Sequence, residues 1–160
     1  MYDPEARLAR YLELFPVMDK AGADPDGELM AALLDCYSPD VRYRDVPSGY
    51  VFEGREAMKH MFIADSRMGN DRKVIVSHQT DGRNFAFETE ASGINRTAVG
   101  EPGRKFLLLA VSVGCFDDDG RILEQRDYWD PKSFRVQIGA EEPTGAVMAE
   151  VFEGVSSVKK

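Results

Sequence analysis

Two histidines, two cysteines and one tryptophan are all that 160 residues contain of those types, and basic side chains are outnumbered 20 to 28 by acidic ones. Each scarcity excludes something. Cys36 and Cys115 stand apart in apolar surroundings, without the spacing of a zinc site or the density of a disulfide-stapled domain, and read as buried reduced thiols. A formal charge of −8 repels phosphate backbones, and no basic patch interleaved with aromatics offsets it, so nucleic acid is not an expected partner. No apolar run approaches the ~20 residues of a membrane span, which removes the membrane as a partner. The charged start, MYDPEARLAR, lacks the apolar stretch and cleavage site of a secretory signal, and a cytoplasmic location is expected. What remains is 43% hydrophobic and 30% charged, the balance of one soluble globular domain with room for a core and a cavity.

Asp3 followed by Pro4 is a helix start, because the carboxylate accepts free amides and the proline ring presets φ. The helix should run to about Lys20 with Leu8, Tyr11, Leu12, Phe15 and Met18 on its buried stripe, and with Pro16 kinking or interrupting it. A second helix is predicted over Glu28–Tyr37, and a third from Arg55 to about Ser66. Between them Val41–Asp45 alternates as a strand, with Tyr43 and Asp45 on one face, and Tyr50–Phe52 is a short extended piece. Strands are predicted at Val74–His78, Asn84–Ser92, Arg104–Phe116 and Arg121–Trp129, separated by turn signals. This order gives an α+β class: a curved antiparallel sheet wrapped around three helices, enclosing a pocket. The domain occupies 1–137. In the tail, 138–160, Val147, Met148, Val151, Phe152 and Val155 recur at helical spacing and predict a short amphipathic helix.

The closing stretch DDDGRILEQRDYWD puts a carboxylate, Asp127, in mid-strand on the face of Gln125 and Trp129. With a four-residue loop, Asp117–Gly120, the register sets Ala110 opposite Asp127, Ser112 opposite Gln125 and Gly114 opposite Leu123. Those small residues leave volume beside Asp127 and predict a pocket wall. The opposite face carries Leu107, Leu109, Val111 and Val113 with Tyr128. It is too apolar for water, so a second copy of the sheet is its expected partner and the chain an expected homodimer.

Three segments, DVRYRDVPSG, FEGREAMKHMF and DGRILEQRDYWD, together with the element order, resemble the nuclear transport factor 2-like superfamily over about Tyr11–Phe134. Within it the chain looks like the SnoaL-like polyketide cyclases, the limonene-epoxide hydrolases and the ketosteroid isomerases. The resemblance implies a cone-shaped fold, a deep apolar pocket, a hydrophobic small-molecule substrate and catalysis without a cofactor or metal. The strand aspartate of the cyclases and hydrolases corresponds to Asp127. Tyr43 matches the water-positioning tyrosine of the hydrolases, but Asp45 stands where they have asparagine, and their middle-strand arginine has no counterpart around Glu88–Glu90. In the isomerases the catalytic base corresponds to Asp45 and the oxyanion tyrosine to Tyr11, while the position of their protonated aspartate falls near Ser112.

Asp127, Asp45, Tyr43 and Tyr11 are therefore the candidate catalytic residues. A carboxylate in a dry pocket has its charged form disfavoured and becomes a usable acid or base, and a second one nearby separates the two titrations. Trp129, Gln125 and Ser112 are expected to touch substrate. Further lining candidates are His60 and Phe62, with partner-bonded and core placements as their structural alternatives, and Glu88 and Glu90, whose alternative is the wet side of their strand. The expected function is isomerisation, aldol-type cyclisation or carbon–carbon cleavage of a cyclic or aromatic molecule by carboxylate chemistry. Epoxide hydrolysis and a non-catalytic binding or dimerisation module are the alternatives.

Overall fold

The first helix begins as Asp3 and Pro4 dictate: the Asp3 carboxylate accepts from the amides of Glu5 and Ala6 at 3.0 and 3.2 Å, opening α1 (Pro4–Leu14). Pro16 then breaks the helical ladder into a 3₁₀ turn, Phe15–Val17, before α2 (Met18–Ala23) resumes it. The computed structural model describes residues 2–141, Ala149, Phe152 and 158–159. The tail helix expected around Ala146–Val158 falls largely outside the described residues. Helices α3 (Glu28–Asp35) and α4 (Arg55–Asp65) follow the predicted positions, and the helical stripe residues Leu8, Tyr11, Met30, Leu33, Met58 and Phe62 are buried. Among the described residues no helix is long and apolar enough to cross a membrane.

The strands are β1 (Tyr37–Asp45), β2 (Val51–Glu53), β3 (Asn70–Thr80), β4 (Asn84–Ile94), β5 (Lys105–Phe116), β6 (Ile122–Trp129) and the short β7 (Val158–Lys159). They form one sheet in the order β3-β4-β5-β6-β1-β2-β7. The α+β class is as expected, but the sheet is mixed, because β1 runs parallel to β6. Hairpin signals fix direction only between neighbours in sequence, and β1 and β6 are joined by no hairpin, so their direction carries no local mark. Strand β1 also starts four residues early. Tyr37 belongs to it rather than to the second helix, and Pro39 is tolerated where the register against β6 is irregular.

The β5–β6 register differs from expectation by two residues. Asp117 donates its amide to the Arg121 carbonyl and takes the Arg121 amide on its side chain, so the turn is tighter, and Leu123 is then extruded as a bulge between Phe116↔Ile122 and Cys115↔Glu124. Ser112 consequently faces Asp127, Ala110 faces Trp129 and Gly114 faces Gln125. Ala110 and Ser112 do line a cavity, but the space over Gly114 is taken by the Phe85 ring.

Helix α5 (Pro131–Ile138) was not anticipated, although Asp130–Pro131 repeats the Asp3–Pro4 signature, and the Asp130 carboxylate accepts from Lys132 and Ser133. It covers β5 beyond the end of β6: the Gln137 side chain accepts from the Leu107 amide at 2.7 Å and donates to its carbonyl at 2.9 Å, as a strand would. The outer face stays open in the single chain, with Leu109 65% and Leu107 44% exposed.

A Cβ on Gly114 would overlap the Phe85 ring and the Glu124 carbonyl. Gly114→Ala should therefore lose about 1–3 kcal/mol in urea denaturation through overpacking; unchanged stability would show that the ring and strand yield freely.

Candidate active site

Parallel pairing of β1 and β6 sets Tyr43 beside Gln125 and Asp45 beside Asp127. In-register neighbours on adjacent strands share a face at a strand spacing of about 4.8 Å, so two carboxyls are forced together. Polar donors hold them. The Tyr43 hydroxyl donates to Asp127 Oδ2 at 2.8 Å and the Gln125 amide to Oδ1 at 3.0 Å, with a further side-chain bond from Ser112. Trp129 Nε1 donates to Asp45 Oδ1 at 3.0 Å, and the Ser48 amide does so at 3.4 Å. The other end of Gln125 accepts from Tyr11 at 3.1 Å, and the Tyr11 and Tyr37 hydroxyls are 2.6 Å apart.

Burial is the main cause of the shifted titrations. It pushes Asp45 up to about 6, against the Trp129 hydrogen bond and with the added charge of Asp127. Asp127 is also raised by burial, opposed by its bonds from Gln125, Ser112 and Tyr43. Burial and then the Asp127 charge raise Tyr43, and burial dominates for Tyr11 and Tyr37, so all three remain protonated donors at neutral pH. The charge of Asp127 thus reaches Asp45, so the two carboxyls do not titrate independently.

These groups open onto a cavity of about 110 Å³ between sheet and helices. All four candidate catalytic residues line it, as do Trp129, Gln125 and Ser112. His60, Phe62, Glu88 and Glu90 do not. His60 pairs with Glu56 along α4 at 3.4 Å, and Phe62 is buried core against Tyr37. On β4 the inward residues are Phe85, Phe87, Thr89 and Ala91, so Glu88 and Glu90 face outward and Glu88 accepts from Ser77. Sequence reasoning missed Tyr37, hidden by the misplaced helix end, and a second polar group at the cavity. There Lys73 Nζ donates to Asp65 at 2.7 Å and lies 3.2 Å from Asp19. Burial works to lower Lys73, but the two carboxylates prevail and hold it above its ordinary value; Asp19 is pushed to about 6 by burial and then by Asp65. Among the described residues, no three His, Cys, Asp or Glu side chains converge as metal ligands.

The family model for the SnoaL-like domain matches residues 26–125. The chain belongs to the SnoaL-like family. Solved structures agree with the fold. TsrD from Streptomyces laurentii shares 21% identity at a TM-score of 0.67, over 88% of this chain and 99% of its own. A candidate polyketide cyclase from Xanthomonas campestris gives 20% identity and 0.66, over 84% and 96%. A protein of ketosteroid isomerase-like fold from Catenulispora acidiphila, in complex with trimethylamine, gives 21% and 0.61, over 75% and 89%. At these identities the likeness concerns the fold. No protein of curated function is recognisably similar in sequence.

A carboxyl raised to about 6 by folding favours the folded state fully below its unfolded value near 4, and that contribution is lost as pH rises through about 6. Asp45→Asn keeps an acceptor for Trp129 and removes the ionisation. Its melting temperature should therefore gain on the wild type between pH 4 and pH 7.5, by the equivalent of up to roughly 3 kcal/mol. A gap that is constant with pH would mean that Asp45 ionises without cost.

Proposed function

We propose that this SnoaL-like chain is a cofactor-independent acid–base enzyme that moves a proton on a small hydrophobic carbonyl compound, as an isomerase, aldol-type cyclase or carbon–carbon lyase does. The observation that carries this reading is the Asp127–Asp45 pair on the cavity wall, with Asp127 oriented by Tyr43 and Gln125 and Asp45 poised at about 6. A carboxylate held by donors in a desolvated site takes a proton from carbon next to a carbonyl, and a protonated neighbour returns one. Asp127 is assigned the base and Asp45 the acid. Tyr43 and Tyr11 have their hydroxyls committed to Asp127 and to the Tyr37–Gln125 group, so both are assigned as positioning residues, in place of the oxyanion role that the isomerase resemblance implies for Tyr11. Epoxide hydrolysis draws less support, because among the described residues no arginine lines the cavity to orient the two carboxylates. The trimethylamine complex of the Catenulispora protein favours the other reading, a binding module.

Wild-type protein in D₂O should catalyse exchange of the α-hydrogens of small cyclic ketones such as cyclohexanone, followed by NMR. Asp127→Asn should lower that rate by at least about 10²-fold, the usual worth of a general base, with the fold unchanged by circular dichroism. Full exchange by the variant rejects the base assignment, and exchange by neither protein returns the balance to the binding module.

We also propose that the open outer face pairs two copies of the chain. Its apolar residues are contiguous along β5 and adjoin Tyr128 of β6. Light scattering at micromolar concentration should give the mass of two chains, and Leu109→Lys should give one; a monomeric wild type removes the proposal.

A further inference from the structure

Of the hydrogen-bonding groups that line the cavity, nearly all already have partners. Tyr43, Gln125 and Trp129 donate to the aspartates, and Lys73 is engaged by Asp65 and Asp19. Two buried side-chain atoms of lining residues have none among the described residues: Asn70 Oδ1, which can only accept, and Thr89 Oγ1. Thr89 is 4% exposed on an interior strand, where an unpaired hydroxyl has lost its water without gaining a partner and calls for a reason.

The register supplies one. Thr89 pairs with Ala110, which pairs with Trp129; one rung along, Ser112 pairs with Asp127. Thr89 thus stands diagonally across two strands from Asp127, and the positions between them are the small residues Ala110 and Ser112. Strand spacing and rise place the two Cα atoms roughly 12 Å apart, and both side chains line the one cavity, so a ligand lying between them can present its α-carbon to Asp127 and its carbonyl oxygen to Thr89.

We propose that Thr89 is the residue that holds the substrate's carbonyl oxygen, and that the substrate is a small ketone that carries no negative charge. This rests on the proton-transfer reading for its chemistry but not for its test. Thr89 Oγ1–H donates to the carbonyl; when the α C–H bond breaks, its proton goes to Asp127, its electron pair forms the enolate and the charge appears on the oxygen that Thr89 contacts. A turn about χ1 carries the hydroxyl from one staggered position to another, so the donor can be re-aimed without backbone movement. The size limit follows from the cavity of about 110 Å³, since apolar cavities of about 150 Å³ accept benzene. Among the described residues the carboxyls of Asp45, Asp65 and Asp127 outnumber the ammonium of Lys73 around the cavity, which disfavours an anionic substrate.

The test compares wild type, Thr89→Ser and Thr89→Val with cyclohexanone and with methylenecyclohexane, its near-isostere lacking the acceptor. Cyclohexanone should bind wild type and Thr89→Ser with a carbonyl stretch shifted to lower frequency. Thr89→Val should bind it about five- to tenfold more weakly with the shift lost, while methylenecyclohexane binds all three alike. Thr89→Val should melt no lower than wild type, because it removes an unpaired group. Equal cyclohexanone affinity or an equal carbonyl shift in Thr89→Val overturns the proposal, as does the absence of saturable cyclohexanone binding to wild type. The same spectra taken in Asp127→Asn separate the two readings: a retained shift with retained α-exchange sinks Asp127 as base and leaves Thr89 as the anchor.

Discussion

Everything at the cavity depends on one pairing, the parallel ladder between β1 and β6. Placed in register, it brings Asp45 and Asp127 next to each other in a sheet interior, where two ionised carboxylates would repel across a few ångströms. The protein does not separate them. It surrounds them with donors drawn from three strands: Tyr43 from β1, Ser112 from β5, and Gln125 and Trp129 from β6. Side chains of the helical layer reach the same network through Tyr11, so α1 is tied to the aspartates by hydrogen bonds as well as by packing.

That network is close to saturated, which separates catalysis from recognition within one cavity. Groups bonded to each other set the titration of the carboxyls and have little capacity left for a ligand. The Lys73–Asp65–Asp19 cluster behaves alike: it is buried and mutually neutralising, and it joins β3 to α2 and α4 across the opposite side of the cavity. Recognition then falls to shape and to the few atoms left over.

Local chemistry was legible from the residues. The Asp-Pro helix start, the alternation of Tyr43 and Asp45, the small residues Ala110 and Ser112 beside a strand aspartate, and the apolar outer face of β5 each follow from neighbours in sequence, and each stands in the structure. What was not legible involves partners far apart along the chain. Nothing in Val41–Asp45 states that its neighbour is β6 or that the two run parallel, and Lys73 gives no sign that two helices supply its carboxylates. Helix α5 is a different kind of miss: Asp130–Pro131 directly follows the predicted strand Arg121–Trp129 and was readable as a helix start, but no helix was assigned to it. His60 and Phe62 take the partner-bonded and core placements given as their structural alternatives, because a helix has several apolar directions and only the sheet it packs on decides which one meets the cavity.

The bulge at Leu123 decides more than local twist. If the ladder ran on without it from Phe116↔Ile122, the residues facing inward along β6 would be Glu124, Arg126 and Tyr128, and Asp127 would point to the outer face. The chemistry of the cavity is thus set by a count as much as by identities. For this hairpin an insertion or deletion of one residue is a change of cavity lining, not a change of loop length. Two relatives whose turns differ by a single residue will carry the same pocket only if a compensating irregularity lies further along one strand.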